Sequence, residues 1–180
     1  MAVNMKNVIA EALTSMLREK NADKITVKAL IEVCGVSRQT FYYHFRNITD
    51  VIEYSLRQSI QDMLSRSLAS GTPEQALHVF VASTAENYAM IRKLMQSQRR
   101  EEMEEMFVES VRDYLEQLLH ARFPELPLSH ADLEITLDFW ACGLTGTLLK
   151  YCGQDQIDTE QLTSRLIRLL SGQILDLSSQ

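Results

Sequence analysis

Residues 25–45 read ITVKALIEVCGVSRQTFYYHF, and this stretch decides the fold. Thr26 is placed to cap a short helix whose inward positions are Val27, Leu30, Ile31 and Cys34. Gly35 follows directly, where a chain leaving a helix needs a left-handed residue. Ser37 caps a second helix two residues later, and Val36 and Phe41 flank that cap at the spacing of a hydrophobic staple. Phe41 and Phe45, four apart, share the inward face. Two short helices joined by a tight glycine turn predict a helix-turn-helix.

The outward face of the second helix says what the motif meets. At about 100° per residue, Gln39, Thr40 and Tyr43 point away from the Phe41/Phe45 stripe, flanked by Arg38, Tyr42 and His44. Gln and Arg can pair bidentately with base edges, while Tyr, Thr and Ser hydroxyls donate to phosphates. That composition suits double-stranded DNA. The competing reading is that the tyrosines merely pack on a neighbouring helix.

Charge is distributed to match. The chain has 180 residues and a net charge of -6, yet residues 1–50 carry 7 basic and 5 acidic side chains against 11 and 19 in the remainder. A positive head on an acidic body can face phosphate while the body maintains solubility. A hydrophobic fraction of 46% with only 6 Gly and 3 Pro excludes a disordered chain and a loop-rich β-sandwich or barrel. No apolar run reaches the roughly 18 residues of a membrane span, and the N-terminus lacks the pattern of a secretory signal. A soluble, cytoplasmic protein is expected. Cys34, Cys142 and Cys152 are odd in number and lack metal-ligand spacing, so they read as reduced, mostly buried thiols.

Elsewhere the apolar residues recur at helical spacing, and alternation at period two is nowhere sustained. The pattern predicts helices over about 4–20, 49–68, 73–95, 103–118, 129–151 and 159–177 in addition to the two motif helices. Thr49 or Asp50 is the expected cap of the fourth helix, and Pro73 stands at a first helical position. Glu101, Glu102, Glu104, Glu105 and Glu109 form the acidic, solvated side of the sixth. The fold class is all-α, with a three-helix DNA-binding head (1–48) and a helical dimerisation and ligand-binding body (49–180).

Thr26, Gly35-Val36-Ser37, Thr40-Phe41-Tyr42 and His44-Phe45 resemble the signature of the tetracycline-repressor (TetR) family of bacterial transcriptional regulators. The string SRQTFYYHF followed by Asn47-Ile48 is also similar to the subgroup of DhaS-type regulators of dihydroxyacetone metabolism. The resemblance implies that Thr26 and Lys28 touch the DNA backbone and that Ser37, Tyr42 and His44 hold phosphates. Arg38, Gln39, Thr40 and Tyr43 would then face bases. One position departs from the family: Ile48 stands where a phosphate-facing Lys is common, with Arg46 and Asn47 as partial replacements. On that reading Lys at 48 tightens DNA binding; if Ile48 instead packs on the first helix, Lys there loosens the head.

The resemblance also implies dimerisation through the last two helices. In the final helix Leu162, Leu166 and Leu169 line one face, and Ile167, Leu170, Ile174 and Leu177 another. A helix apolar on two sides needs covering twice, by its own body and by a partner. Gly143 and Gly146 would allow the preceding helix a close approach. The alternative is the core of a monomer. Tyr88, Met103, Phe107 and Trp140, with Tyr114 and Phe139, could line a small-molecule pocket, though such residues also serve as ordinary core.

Enzyme chemistry finds no constellation. His44, His78, His120 and His130 are scattered, and HExxH, Gly-rich phosphate-loop and G-x-S-x-G motifs are missing. Neither a cofactor nor a metal is expected. Three readings stand: a dimeric repressor released by a small-molecule effector, a co-regulator or activator of the same fold working through a protein partner, and a helical module that no longer reads DNA.

Overall fold

A computed structural model describes residues 4–151 and 158–171. Cys152, Ile174 and Leu177 lie outside the described residues. Among the described residues the chain forms eight α-helices and no strand: α1 (Met5–Glu19), α2 (Val27–Cys34), α3 (Arg38–His44), α4 (Ile48–Ala69), α5 (Pro73–Met95), α6 (Arg100–Arg122), α7 (His130–Tyr151) and α8 (Thr159–Leu170). The polar stretch after α1 is a 3-10 turn, Ala22–Lys24. None of these helices is long and apolar enough to cross a membrane.

Most helix starts have a local chemical cause. Asn4, Thr26, Ser37 and Asp158 each accept a backbone N–H of the first turn through their side-chain oxygens. Ser129 does the same for α7, accepting from Asp132 N at 3.1 Å. Before α5, Thr72 accepts from Gln75 N while Gln75 Oε1 reaches back to Gly71 N at 2.8 Å, and Pro73 takes the first helical position. The start of α4 corrects the expected cap. Asn47, rather than Thr49 or Asp50, caps it through Oδ1, which accepts from Asp50 N at 3.0 Å. Asp50 is instead taken by Arg46, whose guanidinium lies 2.8 and 3.1 Å from the two carboxylate oxygens. Those hydrogen bonds pull the Asp50 pKa below its usual value.

The described chain forms two compact units, and α4, α5 and α6 each contribute to both. The first comprises residues up to 61 together with 89–110. Its core contains Ile9, Leu13 and Leu17 of α1, Leu30, Phe41, Phe45 and Val51, and also Leu94 of α5 and Met103 of α6. Polar ties hold the α5–α6 corner on the opening segments of the chain. Lys93 Nζ donates to the Arg18 carbonyl, Gln98 N donates to the Asp23 carboxylate at 3.1 Å, and Arg99 donates to Thr49 Oγ1.

The second unit comprises 62–88 and the chain from 111 onward. Phe80 stacks on Tyr114 with centroids 5.2 Å apart, and the buried Tyr114 hydroxyl pairs with Ser67 Oγ at 2.8 Å. Burial pushes the Tyr114 phenol up. Arg122 donates to the Ser67 and Ser70 carbonyls, both at 2.6 Å, at the end of α4, where a cation meets the negative end of the helix dipole. Arg112 ties α6 to α7 through Glu134 at 2.6 Å and Asp138 at 2.9 Å. The buried face of α7 is Leu137, Ala141, Leu144, Thr145 and Leu148; that of α8 is Thr163 and Leu166.

Cysteine placement differs from expectation. Cys34 is half-buried, and burial raises its thiol pKa, but Cys142 is exposed on α7. Glu101, Glu102, Glu104, Glu105 and Glu109 of α6 are exposed, as a solvated face should be.

Candidate nucleic-acid interface

The site begins with how tightly the turn between α2 and α3 is made. Gly35 sits at φ 66° and ψ 26°, a left-handed conformation that a side chain with Cβ resists. Val36 N then donates to the Ile31 carbonyl at 3.2 Å, closing the helix end in a Schellman arrangement. Ser37 follows at once as the cap of α3, its Oγ accepting from Thr40 N at 3.0 Å. Three residues therefore end one helix and start the next. Phe41 is fully buried and meets Phe45 at 6.1 Å between centroids, which fixes α3 against the core of the first unit.

With Phe41 inward, the opposite face is presented to solvent. Arg38, Gln39, Tyr42 and Tyr43 are exposed, and Thr40 and His44 are half-buried. Tyr43 is 84% exposed, so packing on a neighbouring helix does not explain it. Its ring meets only the edge of His44, at 4.9 Å. Arg38 lies over the Tyr42 ring at 5.8 Å, a cation–π contact that orients the guanidinium without occupying its donors. Thr26 and Lys28, at the start of α2, and Ser37 are also exposed. Thr26 Oγ1 accepts from Ala29 N at 3.1 Å and retains its own donor.

Residues 46–48 lead from α3 into α4. Arg46 and Asn47 both have partners within the chain: the first pairs with Asp50, the second caps α4. Ile48 is half-buried and packs against the core of the first unit. The structure thus favours Ile48 as a packing residue. Lys6, not singled out from the sequence, places its ammonium over the Phe45 and Tyr54 rings at 5.7 and 5.5 Å. No short-range signal announces that pairing, because Tyr54 lies far along the chain from α1, to which it also donates a hydrogen bond at Asn7 Oδ1, at 2.6 Å.

Chains of similar architecture are known. Residues 9–54 match the model described as bacterial regulatory proteins, tetR family. Residues 71–172, more than half the chain, match a TetR C-terminal model described as a transcriptional regulator C-terminal region. The chain belongs to the TetR family. It is a DNA-binding transcriptional regulator, and α2 and α3 are the family's helix-turn-helix. Among solved structures, it is similar to the dihydroxyacetone kinase operon activator DhaS, at 16% identity and TM-score 0.68, over 96% of this chain and 97% of that one. A TetR-family regulator from Streptomyces coelicolor has 15% identity and TM-score 0.65 over 93% and 81% of the two chains. A TetR regulator from Streptococcus agalactiae has 19% identity and TM-score 0.64 over 93% and 92%. No curated protein sequence matches the chain.

The remaining sequence-derived candidates belong to helices other than α3. Met103 is buried in the core of the first unit and Phe107 packs against it, whereas Tyr88 and Trp140 are half-buried in the second. The four therefore do not gather within one unit. Tyr88 donates a long hydrogen bond, 3.4 Å, to the Leu149 carbonyl of α7. Of the proposed dimerisation residues, Leu166 is only 4% exposed within its own chain, Leu162 and Leu170 are half-buried, and Leu169 and Gly143 are exposed. Sequence reasoning missed the outward face of α7. There Ile135 is 69% and Phe139 73% exposed. Their spacing of four is visible in the sequence, but α7 is apolar all round, and periodicity cannot say which side faces out.

Proposed function

We propose that this TetR-family chain acts as a two-fold dimer that reads a palindromic operator, and that it represses transcription until a small-molecule effector releases it. The observation that carries DNA reading is the solvent-facing row Arg38, Gln39 and Tyr43, set opposite a fully buried Phe41. On this reading Arg38 and Gln39 pair with base edges in the major groove, Tyr43 and Thr40 contact bases, and Tyr42 and His44 hold phosphates. Ser37 supports it in a specific way. Its Oγ lies 2.8 Å from Thr40 Oγ1. With Thr40 as the donor of that pair, Ser37 accepts twice and keeps its own O–H for a phosphate oxygen. Thr26 and Lys28 would grip the backbone from the start of α2.

Dimerisation is supported by Ile135 and Phe139 on α7 and Leu169 on α8, large apolar side chains that this chain leaves in water. Among the described residues, nothing lies within 4 Å of where a Cβ at Gly143 or Gly146 would stand. A second copy seated there would use their small size and set two α3 helices about 34–36 Å apart, one helical turn of DNA.

The second reading, activation through a protein partner carrying a metabolite signal, draws its support from the likeness to DhaS. A gel shift on the gene's own upstream region tests the DNA reading; no retardation at low salt would refute it. Transcription from that region with and without the protein gives the sign of control, and a rise on adding it would favour the second reading.

A further inference from the structure

Arg38 stands where helix chemistry disfavours it. It is the first residue of α3, and that helix has no acidic side chain in its first turn. A cation there meets the positive end of the helix dipole. Among the described residues no hydrogen bond or ion pair holds its guanidinium, unlike Arg46, which Asp50 engages. What holds Arg38 is a ring. Its guanidinium carbon lies 5.8 Å from the centroid of Tyr42, one turn along the same side of the helix. Tyr42 is 48% exposed, yet its ring is braced in turn. The fully buried Phe41 meets it at 5.4 Å between centroids, with the ring planes perpendicular. Contacts thus run from the core through two rings to an exposed cation. A cation–π contact restrains an arginine but leaves its fork of N–H donors open. Arginine gives up rotamer freedom when it pairs, and a side chain restrained beforehand gives up less.

We propose that Tyr42 is a positioning residue for base readout: its ring holds Arg38 ready to pair with a guanine, which each operator half-site carries at the base pair Arg38 reaches. The opening residues of a recognition helix are the ones that meet base edges, and Arg38 is the first of α3. Guanine follows from the donors. Arg38 has only donors to offer, and guanine shows two acceptors, N7 and O6, side by side in the major groove. Adenine and cytosine each present an amino donor there, and thymine a single acceptor beside its methyl group. Tyr42 then has two parts with separate tasks. Its hydroxyl serves the phosphate contact proposed above, and its ring serves Arg38. This role rests on the DNA reading above and gives that reading a base.

Selection from random duplexes with the full chain, as parent and as Arg38→Ala, locates the base pair whose preference Arg38→Ala loses. The parent should select guanine there. Duplexes differing only at that base pair are then competed pairwise for each protein. Competition scores only molecules able to bind, so a partial loss of fold leaves the ratio unchanged. The parent should favour guanine over adenine about tenfold. Tyr42→Leu should cut that ratio by about two- to fivefold, the worth of an exposed cation–π contact. Tyr42→Phe should keep the ratio while weakening every duplex, because the ring remains and the hydroxyl is gone. In an Arg38→Ala background, Tyr42→Leu should change no ratio. Another base at that position, no such position, an unchanged ratio in Tyr42→Leu, a lost ratio in Tyr42→Phe, or a Tyr42→Leu effect that survives Arg38→Ala would each overturn the role. A parent that retards no duplex at all would overturn the DNA reading along with it.

Discussion

The α2–α3 turn and the outer side of α7 solve opposite problems. At the turn, Thr26, Gly35 and Ser37 answer the backbone's demands within a few residues, and only the side chains of α3 are left for a partner. Along α7, Ile135 and Phe139 are exposed, and among the described residues nothing lies within 4 Å of a Cβ at Gly143 or Gly146. The first region is complete by itself. The second is what the proposed dimer would cover. The contrast teaches that the helix-turn-helix rests on local backbone chemistry, whereas the proposed assembly would rest on apolar surface that the described residues leave exposed.

The sharpest way to break the head is Phe41→Ala. Phe41 is fully buried, and such truncations cost about 3–5 kcal/mol. Thermal unfolding followed by circular dichroism should show the loss, with DNA retardation abolished. Phe139→Glu should do the reverse, leaving the fold intact and weakening association by about 2 kcal/mol or more if it is a central contact. Light scattering should then report a monomer whose melting, extrapolated to low concentration, matches the parent. If the mass is unchanged, the outer side of α7 is not the contact.

Within the head, Arg38→Ala and Gln39→Ala should each remove about 1–3 kcal/mol of discrimination between bases. Tyr42→Phe should weaken all sequences alike. Selection from random duplexes separates the two outcomes, and an unchanged selected motif for both variants would shift base readout to Tyr43 or Thr40. Ile48→Lys should lower the melting temperature by an amount equivalent to about 1 kcal/mol, because half-buried apolar surface is lost. A salt titration should show no steeper slope; a slope steeper by about 0.9 would mean a new phosphate contact after all.

The smallest expected effect is at Asp50. Its folded pKa lies below the unfolded value, so its stabilisation is complete above about pH 4 and is lost as pH falls through the folded pKa. Asp50→Asn should therefore destabilise the parent slightly at neutral pH and not at all in strong acid. Urea midpoints at the two pH values test this. An equal difference at both would assign the role to shape, not charge.

The helix-turn-helix is legible in the sequence because every signal acts within a few residues: cap, glycine, cap, staple. What escaped is non-local. Asn47 prevails over Thr49 and Asp50 as the cap of α4 because Arg46 draws Asp50 away. Met103, a pocket candidate by composition, belongs to the core of the first unit although it lies far along the chain from α3. Leu166 reads as one of several equivalent leucines on α8, yet it alone of the four at 162, 166, 169 and 170 is buried by its own chain. Periodicity names the apolar side of a helix and is silent on which neighbour covers it.

That Leu94 and Met103 complete the core beneath the DNA-reading helices has a consequence for protein engineering. The reading head is not a cassette. Grafting residues 1–54 onto a foreign regulator would uncover Ile9, Leu13 and Phe41 wherever 89–110 had closed over them. A chimera that is to keep this operator preference has to inherit the α5–α6 corner too, two segments cut from distant parts of the gene.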